Sequence, residues 1–266
     1  MIARYQPTRG KDGIIVDQVL SGGHQLIDRP IQDIHEQSTV QNYEIGTRLV
    51  MDDRVFRYCK AGTNLVAMMA AHCGNLPTEC NTAAAEYALG TFEVTILDTT
   101  VRVADYYKGG YIWIMGAAVF QMYRIKSSGV GAGVSVKLTL WEALKTTVAA
   151  STWITAWPNV YSNILGTTSG FMSNVVVALM AITSGNYFWG QTWGPCFGTV
   201  VNEVPGRASG DRELYFNIDG ALLSSKDVDF GTAGNAIPQR AGFLITNTTP
   251  GGAGYGDQLY MLQISP

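Results

Sequence analysis

The chain has 266 residues, of which 47% are apolar and only 15% charged, and its net charge is -3 at pH 7. The longest strictly apolar run, VVVALMAI at 175–182, is too short for a membrane-spanning helix of about 20 residues. Balanced charge without a Lys/Arg cluster argues against direct nucleic-acid binding. The opening MIARYQPTRGKDG has no signal-peptide run, which predicts synthesis in the cytosol.

The polar first 43 residues contain Pro7 and Pro30 and show no helical or alternating period. They predict an extended N-terminal arm, 1–43, that becomes ordered on a neighbouring subunit. A disordered leader is the alternative interpretation.

Strand patterns begin at 44. The stretch EIGTRLVMDDRVFRYCKAG predicts a hairpin that turns at Asp52 and Asp53. The two Ala-rich stretches that follow, TNLVAMMAAHCGNL and TECNTAAAEYAL, predict short helices. Beyond them helical periodicity stops.

Strict alternation marks the middle of the chain. In VSVKLTL, Val134, Val136, Leu138 and Leu140 share one face, and TFEVTIL places Phe92, Val94 and Ile96 together in the same way. Further strands are predicted at YIWIM, FQMYRIK, TWITAW, NVVVALMAI, NYFWGQTW, ELYFNI, GFLIT and QLYMLQI.

This pattern predicts an all-β fold, an antiparallel sandwich or barrel with at most short helices. We expect a main β domain at 44–200 and a C-terminal β segment at 201–266 packed on the same domain.

The tetrapeptide WGPC, ending at Cys196, is one cysteine short of a redox signature, because Trp193 stands where the second thiol is needed. Catalysis by Cys196 alone would need His24, His35 or His72 within hydrogen-bond reach, and no local signature indicates it. We interpret YFWGQTWGPCFG as a buried aromatic strand that stops or bulges at Pro195, which has no N–H for a ladder. Cys196 is then a packing residue just past the strand end.

Other candidate sites are weak. Zinc ligands typically occur as close pairs, and the wide spacing of His72, Cys73 and Cys80, with Cys59 as a fourth ligand, favours ordinary core thiols. The run GVGAG at 129–133 lies between strand patterns and predicts a hairpin tip rather than a phosphate loop.

The carboxylate pairs Asp52 with Asp53 and Asp227 with Asp229 fit turns or loops. We therefore predict no catalytic residue, cofactor or metal, and no enzyme activity. The six tryptophans favour a core or an interface, and a sugar-stacking face is the alternative.

The motifs of 44–196 resemble those of structural proteins encoded near the capsid genes of tailed bacteriophages. The shared features are a "DGRVFRYAKAG"-like hairpin, matched by DDRVFRYCKAG, a "GGYL…YRIKS" strand pair, matched by GGYIWIMGAAVFQMYRIKS, and a "Y-x-W-x-Q-x-x-G" strand, matched by YFWGQTWG.

The resemblance implies a virion structural protein that acts as a cement or decoration subunit, with no catalytic residues to carry over. Its expected partners are copies of itself, most simply a trimer, and the major capsid protein, and its expected location is the capsid after synthesis in the host cytoplasm. Three alternatives remain: the major capsid protein itself, although no amphipathic run of 20 or more residues suits the spine helix of that shell fold; a carbohydrate-binding or receptor module; and, last, a thiol hydrolase.

Overall fold

The computed structural model describes the chain at residues 8–10, 13–16, 32–75, 78–115, 120–167, 172–200, 212–224, 238–245 and 258–266. Within these ranges the regular elements are all strands, and no helix is present that is long and apolar enough to cross a membrane. The predicted all-β class is therefore confirmed. Contacts divide the chain into unit 1, Met1–Gly74 with Asn163–Pro266, and unit 2, Asn75–Ser162.

Twenty strands are described. Unit 1 begins with β1 (Thr8–Gly10), β2 (Gly13–Val16), β3 (Arg48–Met51), β4 (Arg54–Lys60) and β5 (Met69–Cys73). Unit 2 contains β6 (Thr78–Thr82), β7 (Glu93–Leu97), β8 (Val101–Arg102), β9 (Tyr111–Met115), β10 (Phe120–Ser128), β11 (Gly131–Ala132), β12 (Ser135–Leu140) and β13 (Trp153–Trp157). The chain returns to unit 1 with β14 (Ile164–Gly166), β15 (Asn174–Ala178), β16 (Tyr187–Gly198), β17 (Glu213–Phe216), β18 (Leu222–Ser224), β19 (Arg240–Leu244) and β20 (Gln258–Gln263).

The division into units follows contacts in space and does not coincide with the sequence-based boundaries at 43 and 200. Unit 2 is inserted between β5 and β14, which pair with each other in unit 1 with Cys73 opposite Ile164. The Gly74 N–H donates to the Asn163 carbonyl at 2.8 Å. The inserted segment therefore begins and ends at neighbouring points of unit 1.

Unit 1 is built on one antiparallel sheet whose main path is β1-β2-β3-β4-β16-β20-β19-β17-β18. Its largest core side chains are aromatic. Trp189 on β16 packs against Tyr43 and Tyr58 with ring centroids 5.1 Å and 4.9 Å away. The segment YFWGQTWGPCFG thus supplies the central strand of this sheet, as its aromatic content predicts.

Part of the predicted N-terminal arm contacts its own chain. Buried Gln32 donates from Nε2 to the Tyr187 carbonyl at 2.8 Å and accepts at Oε1 from the Tyr58 hydroxyl at 2.7 Å. The indole of Trp189 donates to the Gln32 carbonyl at 3.1 Å. These bonds attach residues 32–43 to β4 and β16. Further upstream, β1 and β2 form a hairpin that adds to the sheet through β3.

The strand β16 runs through Pro195 to Gly198, so the predicted strand end at Pro195 is wrong. Pairing with β4 does stop at Trp193, after a bulge, but pairing with β20 continues from Trp193 to Gly198. A proline lacks one backbone donor and interrupts one ladder, while its other neighbour still pairs. Cys196 consequently lies inside the strand, and it is 2% exposed.

The two Ala-rich stretches predicted as helices contain strands instead, β5 in the first and β6 at the start of the second, where the alanine run after β6 has bends and isolated bridges. Ala70 and Ala71 are buried in β5, which pairs with both β14 and β15. Ala70 also receives close backbone contact, since its carbonyl oxygen lies 2.2 Å from where a Cβ on Gly220 would stand. Alanine's helix propensity is a weak local preference, and pairing with β14 and β15 overrides it here.

Unit 2 contains a six-stranded antiparallel sheet in the order β6-β13-β9-β10-β12-β7. The sheet curls until its ends meet, with Ala83 beyond β6 bridging Ile96 on β7. The predicted alternation of TFEVTIL and VSVKLTL is confirmed in the strands: Val94, Ile96, Val136, Leu138 and Leu140 face the core, and all are at most 1% exposed. Phe92 and Val134, just outside the strands, are exposed instead.

Candidate interaction surface

The outer side of the unit 2 sheet carries an apolar grid across β10, β9 and β13. Directly paired residues of antiparallel strands have side chains on the same face, and the register gives three rows. These rows are Phe120–Met115–Trp153, Met122–Trp113–Thr155 and Arg124–Tyr111–Trp157. We call these nine residues the aromatic face.

Five of the nine residues of the aromatic face are solvent-exposed. Met122 is 69% exposed, Phe120 66%, Trp153 55%, Tyr111 47% and Trp157 36%. At roughly 200 Å² for a large side chain, these five residues expose on the order of 500 Å² of mostly apolar surface. That value reaches the upper range of the largest patch on a typical soluble monomer, roughly 300–600 Å², and such patches often mark interaction sites.

The rings are also ordered against each other. Trp113 and Phe120 stack with centroids 5.8 Å apart and planes 27° apart. Aromatic side chains have few rotatable bonds, so neighbouring rings that hold each other lose little entropy when a partner covers them. The aromatic face is therefore a pre-arranged surface.

The outer side of the same sheet is polar on two other strands, β7 and β12. On β7 and β12 the outward positions include Glu93 and Lys137, whose side chains form an exposed ion pair at 2.7 Å. Thr95 stands directly opposite Lys137, and Thr139 directly opposite Glu93. Because β7 and β12 belong to the same curled sheet as β9, β10 and β13, the apolar character of the outer side is local to the three strands of the aromatic face.

A second, smaller apolar face lies on the sheet of unit 1. Phe197 on β16 pairs with Leu259 on β20, and Met261 on β20 pairs with Phe243 on β19. Phe197 is 51% and Phe243 39% exposed. Each unit thus offers one apolar sheet face to solvent.

The thiol candidate Cys196 lies in an unfavourable place for a nucleophile. Burial raises the pKa of this thiol to about 12, although the Tyr260 hydroxyl opposes the effect. Burial likewise raises the pKa of Cys59. Because the thiolate is the reactive form, both groups suit packing better than catalysis.

The histidines and the proposed metal ligands do not assemble. His35 is exposed beside Asp33 at 3.3 Å, and His72 Nδ1 lies 3.3 Å from the Thr167 hydroxyl. Burial lowers the pKa of His72. The described residues contain no group of three or more His, Cys, Asp or Glu placed to hold a metal ion, and the side chain of Cys80 in β6 lies outside the described part of the chain. His24 lies outside the described residues.

The loop candidates have structural roles. Asp52 and Asp53 form the turn between β3 and β4, as predicted, with Asp52 at a φ of 52°. The 129–133 run lies between β10 and β12, which pair with each other, but it is not a simple hairpin tip, because Gly131 and Ala132 form β11 and pair with β8. Asp227 and Asp229 lie outside the described residues.

Three hydrogen bonds hold a buried carboxylate in unit 2. Asp98, 2% exposed, accepts hydrogen bonds from the Thr100 N–H at 2.9 Å, Arg102 Nε at 3.0 Å and the Tyr107 hydroxyl at 2.8 Å. Burial alone would raise the pKa of Asp98, but these bonds lower it below the ordinary value. The group therefore stabilises the fold in its ionised form.

The six tryptophans divide between core and surface. Trp189 is core and Trp193, also on β16, is half-buried, while Trp113, Trp153 and Trp157 lie on the aromatic face and Trp141 contacts Lys126 at 5.2 Å. The sequence signal was present in YIWIM, FQMYRIK and TWITAW, where both alternating sets are largely apolar. Such strands have two apolar faces, and the pattern does not show which face the fold leaves uncovered.

In comparisons with protein-family models, with curated proteins and with solved structures, nothing matches this chain.

Proposed function

We propose that this chain is a non-enzymatic virion structural protein that self-associates and stabilises a phage capsid as a cement or decoration subunit. The observation that carries the proposal is the aromatic face, an exposed apolar surface on a rigid β scaffold. Its composition is that of an interface core, where Tyr, Trp, Phe, Met and Arg are enriched and acidic residues and Lys depleted. The capsid role itself rests on the family resemblance of residues 44–196.

A cementing subunit needs contacts with more than one neighbour. The two apolar faces, one on each unit, are suited to broad contacts with copies of the chain and with the major capsid protein. A subunit that binds only the assembled shell stabilises that shell by its binding free energy. A closed trimer, expected from the sequence, is the simplest symmetric arrangement at a threefold position.

The buried cysteines support the non-enzymatic part of the proposal. Cys59 and Cys196 are buried, and burial raises the pKa of each thiol. The major capsid protein is a less suitable alternative, because its shell fold has a long spine helix and the described ranges contain no helix.

A carbohydrate-binding module is the second candidate function, and the tryptophans of the aromatic face favour it. A sugar platform combines ring stacking with hydrogen-bonding groups that fix the ligand's orientation. None of the nine residues has a carboxylate or amide side chain; the polar groups are those of Arg124, the Tyr111 hydroxyl, the indole N–H groups and Thr155, which is only 4% exposed. Because the face lacks the carboxylates and amides that accept hydrogen bonds from sugar hydroxyls, we prefer a protein partner.

The experiment is quantitative mass spectrometry of purified particles from the phage that encodes this chain, together with particles from which its gene has been deleted. The protein should be present in tens of copies or more per particle, and the deletion should lower the temperature at which the shell opens. Absence from the purified particles would contradict the proposal.

A further inference from the structure

The arrangement of the aromatic face carries an inference about what covers it. We propose that the aromatic face packs against the same face of a second copy of this chain, in a two-fold contact. This inference rests on the self-association in the proposed function, and it names the surface and gives a two-fold contact in place of the closed trimer expected from the sequence.

The size of the face supports a second copy. Five side chains expose on the order of 500 Å², so face-to-face packing of two copies covers about 1,000 Å² from these residues alone. A specific protein interface needs about that total to be stable, and a standard one buries roughly 800 Å² on each partner. The three remaining exposed or half-buried neighbours, Trp113, Met115 and Arg124, add to the covered area.

Charge makes the face complementary to itself. None of its nine residues is acidic, and Arg124 is the single cation, placed at one corner of the grid. Two packed sheets prefer nearly aligned strands, which allows a two-fold axis through the central Trp113 either along the strands or across them.

Both axes place Arg124 on an aromatic ring. An axis along the strands exchanges β10 with β13 and puts Arg124 over Trp157 of the second copy. An axis across the strands exchanges the outer rows and puts Arg124 over Phe120. A guanidinium within about 6 Å of a ring centroid is attracted to it. The two arginines of the dimer stay roughly 10 Å or more apart, because two strand spacings or four residues separate them.

The rest of the grid matches under the same operations. In either arrangement the central Trp113 meets its own copy, and each outer ring meets another aromatic ring, a methionine or Arg124, while Thr155 meets Met122 or its own copy. Methionine adapts its shape to a ring and contacts it favourably. A face of this composition is therefore able to bury itself without leaving a charge unpaired.

The test is sedimentation velocity of the full chain up to roughly 100 µM, a concentration at which micromolar contacts form fully. We expect a particle of twice the 28.8 kDa chain mass. Met122→Glu and, as a second variant, Trp153→Glu should weaken the dimer roughly 100-fold or more, since each substitution enters the interface twice and places a carboxylate in an apolar contact away from Arg124. Met122 is 69% and Trp153 55% exposed, so the folded chain tolerates the changes.

The matched control is Val134→Glu. Val134 is 68% exposed, close to the 69% of Met122, but lies outside the aromatic face in the same unit. This variant should dimerise as the parent does, and circular dichroism should show that all three variants are folded.

Three results would overturn the inference. A dimer that survives both face substitutions places the contact elsewhere and leaves self-association intact. A trimer by mass overturns the two-fold symmetry and equally leaves self-association intact. A chain that stays monomeric overturns this inference and the self-association in the proposed function together; a shift of tryptophan fluorescence with soluble glycans would then favour the carbohydrate-binding alternative.

Discussion

Replacing Gly194 by alanine should destabilise unit 1 through a specific close approach. Gly194 lies in β16 beside Pro195 with a φ of +92°, and a Cβ added there would stand 2.2 Å from the Asp53 carbonyl oxygen. Asp53 is part of the turn between β3 and β4. The side chain can be accommodated only if that turn moves away from β16.

The expected loss has two contributions. The first is conformational: an L-residue at positive φ destabilises the folded state by about 1–2 kcal/mol. Alanine also restricts the unfolded chain more than glycine does, which offsets about 0.4–1 kcal/mol of that loss. Relieving an overpacked contact against backbone adds about 1–3 kcal/mol. Gly194→Ala should therefore lower the free energy of unfolding by roughly 2–4 kcal/mol.

Gly185→Ala separates the two contributions. Gly185 has a φ of +86°, close to that of Gly194, but a Cβ there meets nothing within 4 Å. Gly185→Ala should therefore lower the free energy of unfolding by about 1 kcal/mol, from the conformational contribution alone. Urea unfolding followed by tryptophan fluorescence measures both variants, since Trp189 is buried in unit 1. Equal losses for the two variants would refute the close approach between β16 and the Asp53 turn.

Three further outcomes are expected. Gln32→Ala leaves the hydroxyl of Tyr58 buried without its acceptor, so it should lower the free energy of unfolding in urea by about 1–3 kcal/mol. The variant should also be cleaved faster by proteases near residue 32, and unchanged proteolysis would contradict the attachment of that segment. Asp98 has a pKa that is lower in the folded than in the unfolded state, so its stabilisation is present above about pH 4 and is lost as pH falls through the folded pKa. Asp98→Asn should lower the stability at neutral pH and make stability less dependent on pH in acid. An unaltered acid dependence would contradict this role of Asp98. Cys59 and Cys196 should resist a thiol reagent in the native protein and react only in urea, as peptide mapping can show; fast native labelling would contradict their burial.

Local patterns were sufficient where one face of a strand is apolar and the other polar. Val136 and Leu138 alternate with Ser135 and Lys137, and the fold buries the first pair because only that arrangement removes apolar surface from water. The Asp52–Asp53 turn was predictable for a similar local reason, since aspartate tolerates positive φ.

Local patterns gave the wrong structure where pairing with strands distant in sequence determines it. β5 and β6 formed within the two Ala-rich stretches because strands distant in sequence pair with them, and propensity does not report such partners. The prediction that the strand ends at Pro195 failed because a strand has a neighbour on each side. Pairing stops before Pro195 on the β4 side and continues through it on the β20 side.

The sequence by itself determined that this is an all-β chain with few charges, rich in aromatic strands, and that no dithiol motif is formed at WGPC. Composition and period depend on each residue and its near neighbours, so they can be read along the chain. Only the tertiary structure decided that residues 75–162 form an inserted unit and that Trp113, Trp153 and Trp157 share an exposed face with Phe120 and Met122. Those facts depend on register between strands and on which apolar face finds a covering layer, and both are set by contacts between residues far apart in the sequence.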